Sequence, residues 1–484
     1  MDLKAFNEIE DKYNLLELEL EGYNFWNYIR TELGWKIEQE STRVDPIGKI
    51  EKVGLKKKIL KAIKKTRDII LRGSIHNKRK CDLLVLNHER RVCVNGVYQC
   101  IYTDDIVNQY DNVVVLEAPY NGEHYTPIMT KNIKYTDMVE IYSKWFCIFN
   151  SLMYPKKICK YKQNISDLLM QPLLELNERY HTNVKLDKIV NSVLYGFLMY
   201  KVEKRYYGSL INKFNPRIIV EVVGYSRKCM VVNEIALERN IPTIELQHGM
   251  IGEGHFAYNY PHGYKIKQFP QFIFVFGDYW KTKAKFPIAE DHIVSVGYPY
   301  MDKMVRQYKI ENGYRDKIKI LFLSTAPIGL ELSEMALELN KRLDSDKYSI
   351  VYKLHPAEYA TWKERYPQLY ASNIEVIDNN VQNLYEFLAT SDIQIGGMGT
   401  TAIFEGLYFS LTTFILGHGM AEEFKELCDQ GKALEFNSVD DLYHMILNLE
   451  NRDLSSKEKL NLWKKDGLRN MKREIDKILS RCKE

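Results

Sequence analysis

The chain has 484 residues, enough for two or more domains, and its 45% hydrophobic and 27% charged residues are the balance of an ordinary soluble globular protein. A net charge of +4 is too small for this length to imply nucleic acid, and the eight cysteines form no C-x-x-C pair, which argues against a zinc site and a disulfide framework. No apolar run approaches the ~18 residues of a spanning helix, and the opening MDLKAFNEIEDKYN lacks a signal-peptide pattern, so the expected location is the cytoplasm, or at most a membrane surface.

Residues 1–47 read as helical. Phe25, Ile29, Leu33 and Ile37 recur at four-residue spacing, one apolar face that packs on the main body. Residues 49–80 hold thirteen Lys/Arg against only Glu51 and Asp68, with Leu55, Ile59, Ile63, Ile70 and Leu71 on roughly one face. Such a basic amphipathic helix either lies on an anionic membrane, lysines such as Lys57, Lys61 and Lys64 snorkelling, or packs on its own domain with a solvated basic side. No aromatic interleaving accompanies the charge, so nucleic acid is not expected.

From Cys81 a βα pattern begins. DLLVL (82–86) and VVVL (113–116) are short apolar runs of the buried-strand type. His88-Glu89-Arg90-Arg91 follows the first of them, at a strand end where open α/β sheets place ligands. Residues 136–212 read mostly as helix. Strands are then expected at 218–223, 243–246, 272–276 and 293–296, with a helix over 227–239. After a charged linker (302–318), further strands are expected at 320–323, 350–354, 374–377, 393–395 and 413–416. A helix at 439–449 and a charged helical tail at 455–482 complete the pattern. The expected fold class is α/β: two Rossmann-like domains (81–301 and 302–450) facing across a cleft, with an N-terminal helical extension (1–80) and a C-terminal helix (451–484) that crosses back.

Four places carry candidate chemistry. In SDIQIGGMGTTAIFEGLYFSLTTFIL (391–416), Gly396, Gly397 and Gly399 cluster where a backbone turns from strand to helix. Thr400 and Thr401 stand at the N-cap, so the turn suits an anion such as phosphate; Glu405, one helical turn on, is placed to accept from sugar hydroxyls. Gln247-His248-Gly249 follows strand 243–246 and runs on to Glu253 and His255; a neutral histidine there can take a proton near pH 7. Lys353-Leu354-His355-Pro356 ends strand 350–354, proline fixing the exit, so that His355 could donate to a diphosphate. Gly297-Tyr298-Pro299-Tyr300-Met301-Asp302 starts the interdomain crossing, and Ser324-Thr325 adds a strand-end hydroxyl pair near the expected donor phosphates.

These motifs, in this order over roughly 215–420, resemble bacterial GT-B glycosyltransferases of surface-polysaccharide assembly. The nearest groups are the capsule polysaccharide synthesis proteins and the CDP-glycerol glycerophosphotransferases, with the polysialyltransferases more distant. The resemblance implies that His248 is the general base on the acceptor hydroxyl, that His355 with Pro356 contacts the donor phosphate, that Thr400 and Thr401 bind phosphate, and that Glu405 meets the nucleotide ribose. One departure bears on the donor: the glycerophosphotransferase pattern continues with Thr-Pro after its His-Gly, where this chain has Met250-Ile251-Gly252-Glu253. That weakens the case for CDP-glycerol and leaves Glu253 as a rival base.

The expected reaction is transfer of a sugar from a nucleotide-sugar donor to a hydroxyl of a glycan or lipid-linked glycan, with inversion at the anomeric carbon. No cofactor is expected, the nucleotide-sugar being a substrate, and no metal, since Asp104-Asp105 has no D-x-D-like setting. Location on the inner face of the cell membrane would come through 49–80. Two other readings are a nucleotide-sugar 2-epimerase, which shares the fold and needs no acceptor, and a non-catalytic sugar- or nucleotide-binding component of polysaccharide assembly.

Overall fold

The computed structural model describes residues 3–42, 72–73, 80–89, 91–309, 316–379, 381–398, 400–420, 422–449 and 461–482. Nearly all of the basic stretch 49–80, with Lys57, Lys61 and Lys64, lies outside the described residues, as does Gly399. The chain divides into two compact units, one spanning 300–463 and the other drawn from before 300 and after 463.

In the first unit the strands are β1 (Leu83–Leu86), β2 (Val92–Val94), β3 (Val97–Gln99), β4 (Val113–Glu117), β5 (Ile133–Tyr135), β6 (Ile218–Val222), β7 (Thr243–Leu246), β8 (Phe272–Val275) and β9 (Ile293–Ser295). β2 and β3 form a small antiparallel hairpin, and the other seven make one parallel sheet in the order β5-β4-β1-β6-β7-β8-β9. The central strands β1, β4, β6 and β7 are buried along their whole length, which is why they read as largely apolar runs. The order reverses between β1 and β6, which opens a crevice at their carboxyl ends.

The N-terminal helices Leu3–Lys12 and Phe25–Thr42 are part of this unit, with Phe25, Ile29, Leu33 and Ile37 all buried. The Arg30 guanidinium grips the Glu10 carboxylate through Nε and Nη2, each at 2.8 Å, with both side chains fully buried. Trp26 Nε1 donates to the same carboxylate at 2.6 Å. Arg30 also donates to the carbonyls of Phe256 and Asn259, in the loop that follows β7. Gly34 lies against the Phe256 ring, where a β-carbon would come within 2.4 Å of Cδ1. The N-terminal helices therefore hold the loop that carries His248, Glu253 and His255.

The helix Gly467–Arg481 belongs to the same unit, with Met471, Ile475, Ile478 and Leu479 in one core with β1, β4 and β6. Gly297, at φ +99°, meets the returning chain: a β-carbon there would be 2.3 Å from the Lys464 carbonyl.

The second unit contains β10 (Ile318–Leu323), β11 (Tyr348–Lys353), β12 (Glu375–Ile377), β13 (Ile393–Gly396), β14 (Thr412–Leu416) and β15 (Leu434–Phe436), all parallel, in the order β12-β11-β10-β13-β14-β15. This is the doubly wound dinucleotide-fold order, with its reversal between β10 and β13. The stretch read from sequence as a charged linker starts as helix, Pro299–Lys309, because Met301, Met304, Val305 and Tyr308 give it one buried side. Four short strands, β5, β9, β12 and β15, form the sheet edges; β5 and β15 have too few apolar residues to stand out in the sequence. No helix among the described residues is long and apolar enough to cross a membrane.

Candidate functional site

In the first unit, three strand ends at and beside the reversal gather the chemistry. His88 follows β1, Tyr225 follows β6 and His248 follows β7. The Tyr225 hydroxyl lies 3.2 Å from His248 Nε2. Tyr102 donates to the His248 carbonyl at 2.9 Å, and its ring neighbours those of His88 and His248. His255 and Trp35 flank Tyr225. Lys228, one residue into the helix after β6, reaches the Asn87 carbonyl at 3.0 Å and the Glu89 carboxylate. Only 15% of the His248 side chain is exposed. Burial, reinforced by His88 and His255, holds its pKa down at about 3, and burial holds His255 at about 4. Both rings are therefore neutral at pH 7.

Beneath them two carboxyls lie side by side. Glu221 on β6 and Glu245 on β7 are in direct register, and both are fully buried. Burial, and then the charge of Glu245, pushes Glu221 up to about 8; burial pushes Glu245 up to about 7, opposed by donation from the Gly224 N–H at 2.9 Å and the Tyr258 hydroxyl at 2.7 Å. Glu245 Oε1 is 3.8 Å from His248 Nδ1, an atom that makes no hydrogen bond among the described residues. Over the pair, Val223 takes the left-handed φ of +61°, strained for a β-branched residue, and Gly224 leaves out a β-carbon that would sit 2.5 Å from Glu245 Oε2.

The two raised carboxyls set a pH dependence of stability. An unfolded glutamate titrates near ~4.3, so from there up to about 7–8 the folded chain binds more protons than the unfolded one, and stability falls as pH rises through that window. Glu221→Gln removes one such group without changing its shape. Thermal melts should show a smaller loss of Tm between acidic and mildly alkaline pH than in the wild type; an unaltered slope would mean that Glu221 is ionised in the fold.

Glu253, the rival base, sits exposed on a turn after Gly252. Asp104 is buried and accepts from Cys100 N at 2.8 Å and Thr130 Oγ1 at 2.6 Å. Among the described residues, no group of three or more His, Cys, Asp or Glu side chains is arranged to hold a metal ion.

In the second unit the reversal lies between Ser324-Thr325, after β10, and the turn with Gly397, Met398 and Thr400, after β13. The loops are in close contact: a β-carbon at Gly397 would be 3.2 Å from Ile328 Cδ1, and one at Gly396 3.2 Å from the Leu323 carbonyl. Thr325 Oγ1 is buried there, with no hydrogen-bond partner among the described residues. Thr400 caps the helix Thr401–Tyr408, its hydroxyl accepting from Ala402 N at 3.4 Å. Thr401 opens that helix. Met398 takes a left-handed φ of +41° in the turn. Glu405 is raised to about 7 by burial, against the opposing hydrogen bond from Tyr385.

His355 is exposed and caps a short turn of helix, Pro356–Glu358. Its Nδ1 accepts from Ala357 N at 3.2 Å, while its own N–H donates to Glu358 Oε2 at 2.8 Å. In the neutral ring this puts the proton on Nε2, which is thereby a donor. Ser324 differs from its sequence-based expectation. Its hydroxyl is buried and donates to Glu358 Oε1 at 3.1 Å, so it supports the His355 turn from beneath. Lys353 is also largely buried. Burial lowers it to about 8, and its amine donates to the Leu354 and Asn379 carbonyls, each at 3.3 Å.

No protein-family model matches the chain, and no curated protein matches it. Among solved structures it is similar to UDP-GlcNAc 2-epimerase from Methanocaldococcus jannaschii, with 11% identity over 82% of this chain and 99% of that one and a TM-score of 0.48. It is similar to UDP-GlcNAc 2-epimerase from Neisseria meningitidis bound to UDP-GlcNAc, at 10% identity, 82% and 99% coverage and a TM-score of 0.44. It is also similar to the wall teichoic acid polymerase TagF, at 11% identity, 93% and 92% coverage and a TM-score of 0.41. At these identities and TM-scores no residue role passes from those proteins to this chain.

Proposed function

We propose that the chain is a metal-independent glycosyltransferase that moves a sugar from a nucleotide-sugar to a hydroxyl of a bacterial surface glycan, with inversion. The observation that carries the reading is the content of the two strand-order reversals. One holds a neutral, largely buried histidine with a tyrosine hydroxyl on Nε2; the other holds a threonine hydroxyl with no partner among the described residues, beside a threonine-capped helix.

In this reading the second unit holds the donor. Thr325, the helix start at Thr400-Thr401 and His355 Nε2–H supply donors to the diphosphate, and Glu405 accepts from the ribose. As the anomeric C–O bond breaks, negative charge grows on the leaving phosphate, and fixed donors stabilise that charge more than they stabilise the ground state. The first unit supplies the base. With its proton on Nδ1, toward Glu245, His248 presents Nε2 to the acceptor, takes the hydroxyl proton, and the freed oxygen bonds to the anomeric carbon. Tyr225 then orients the acceptor or the ring. Glu253, on its exposed turn, is the poorer candidate for this step.

The test is thermal stabilisation of the full chain by UDP-, CMP-, CDP- and GDP-linked sugars, since a ligand held only by the folded form raises Tm. One class should raise it, and His355→Ala should weaken binding of that donor roughly tenfold or more by calorimetry, as expected for loss of a charge-assisted hydrogen bond. Unchanged affinity would remove His355 from the donor site. Conversion of the donor alone into an isomeric sugar-nucleotide would assign epimerisation instead.

A further inference from the structure

We propose that the outward face of the helix Asp137–Met153, with the turn into the helix Pro155–Tyr180, is a docking surface for an anionic lipid bilayer. The proposal does not rest on the enzymatic reading.

Trp145, Ile148, Phe149, Leu152, Met153 and Tyr154 are all exposed, Trp145 by 69% and Leu152 by 74%. The helical repeat puts positions 145, 148, 149 and 152 on one side. The other side is anchored, with Ser143 and Cys147 buried in the first unit. Single exposed apolar residues are ordinary on a protein surface, but six large ones in one short stretch are not.

The charge around them identifies the occupant. Residues 141–166 contain five lysines and no aspartate or glutamate. Lys144, Lys156, Lys157, Lys160 and Lys162 are all exposed. Lys144 pairs with Glu140 at 2.5 Å and Lys157 lies 3.9 Å from Glu21, both acids outside the stretch. Aromatic rings and leucine rimmed by lysines match the boundary between acyl chains and anionic headgroups, the rings seated at headgroup depth and the lysine amines reaching phosphate. A second copy of the chain fits less well, because a two-fold contact would bring two lysine sets together with no acid in the stretch to answer them.

The test is flotation of the full chain with vesicles of phosphatidylcholine, with and without phosphatidylglycerol. The wild type should float with the anionic vesicles and much less with the neutral ones. A Trp145→Ser, Phe149→Ser, Leu152→Ser variant and a Lys156→Glu, Lys160→Glu, Lys162→Glu variant should each lose about tenfold or more of that binding. Both should keep the wild-type Tm, because the altered side chains are exposed. Binding of either variant like the wild type would overturn the proposal and move any lipid contact elsewhere, to the basic stretch 49–80 first. Equal binding to neutral vesicles, or no binding at all, would also overturn it. So would a lipid-free dimer that the serine variant turns into monomer in sedimentation velocity, since the face would then belong to a second copy.

Discussion

His248→Ala is expected to lower sugar transfer by about 10²–10⁴-fold, the usual contribution of a positioned general base, while calorimetric affinity for the donor stays as in the wild type. The split follows from position, since His248 belongs to the unit assigned to the acceptor and the proposed donor contacts all lie at residues 325–405. The pH profile adds a readout that a merely structural role would not give. His248 works as the neutral ring and burial holds its pKa at about 3, so activity limited by this group falls only as pH drops far below the ordinary histidine range. A bound nucleotide anion would raise that value by favouring the imidazolium. An acid limb that stays low for the free enzyme, in kcat/KM, and moves upward in kcat is the expected pattern. Full activity of His248→Ala would leave the transfer mechanism without its base.

Arg30→Met is expected to cost about 3–5 kcal/mol of unfolding free energy, measured as a shift in urea midpoint, because it leaves the Glu10 carboxylate buried with no countercharge. The same substitution removes the donors to the Phe256 and Asn259 carbonyls, so it should also loosen the loop after β7. Replacing both partners, Glu10→Met with Arg30→Met, should recover much of the loss, since two apolar side chains leave no buried charge behind. A single substitution as mild as the double one would show that the pair is solvated in the native state.

Much of this was legible in the sequence. Strands buried on both faces, such as β1, β4 and the end of β10, are mostly apolar, and they stood out for that reason. The strand-end positions of His248, His355 and Thr400 could be read because a βα turn announces itself by a short apolar run followed by glycine or a capping residue. Other parts were not legible. Tyr102 and Tyr225 join His248 only through the order of strands in the sheet, which a linear reading does not contain. The left-handed turn at Val223 has no sequence signal, since valine is a poor residue for it. Glu221 and Glu245 did leave one: each interrupts an apolar run, in IIVEVV and TIEL, and a carboxylate inside a central strand has to be explained. The inward turn of Ser324, just after β10, toward Glu358 was not legible either.

The meeting of Gly297 with Lys464 has a consequence for synthesis and dissection. The first unit is interrupted by the second, and the helix that completes its core, Gly467–Arg481, is made only after the second unit. A ribosome releasing this chain therefore delivers a whole second unit before the first can close over its sheet. Since the outgoing and returning strands of chain already touch, excising 300–463 and splicing Pro299 to Lys464 needs only a very short bridge. The first unit could then be prepared by itself, with His248 in its native surroundings.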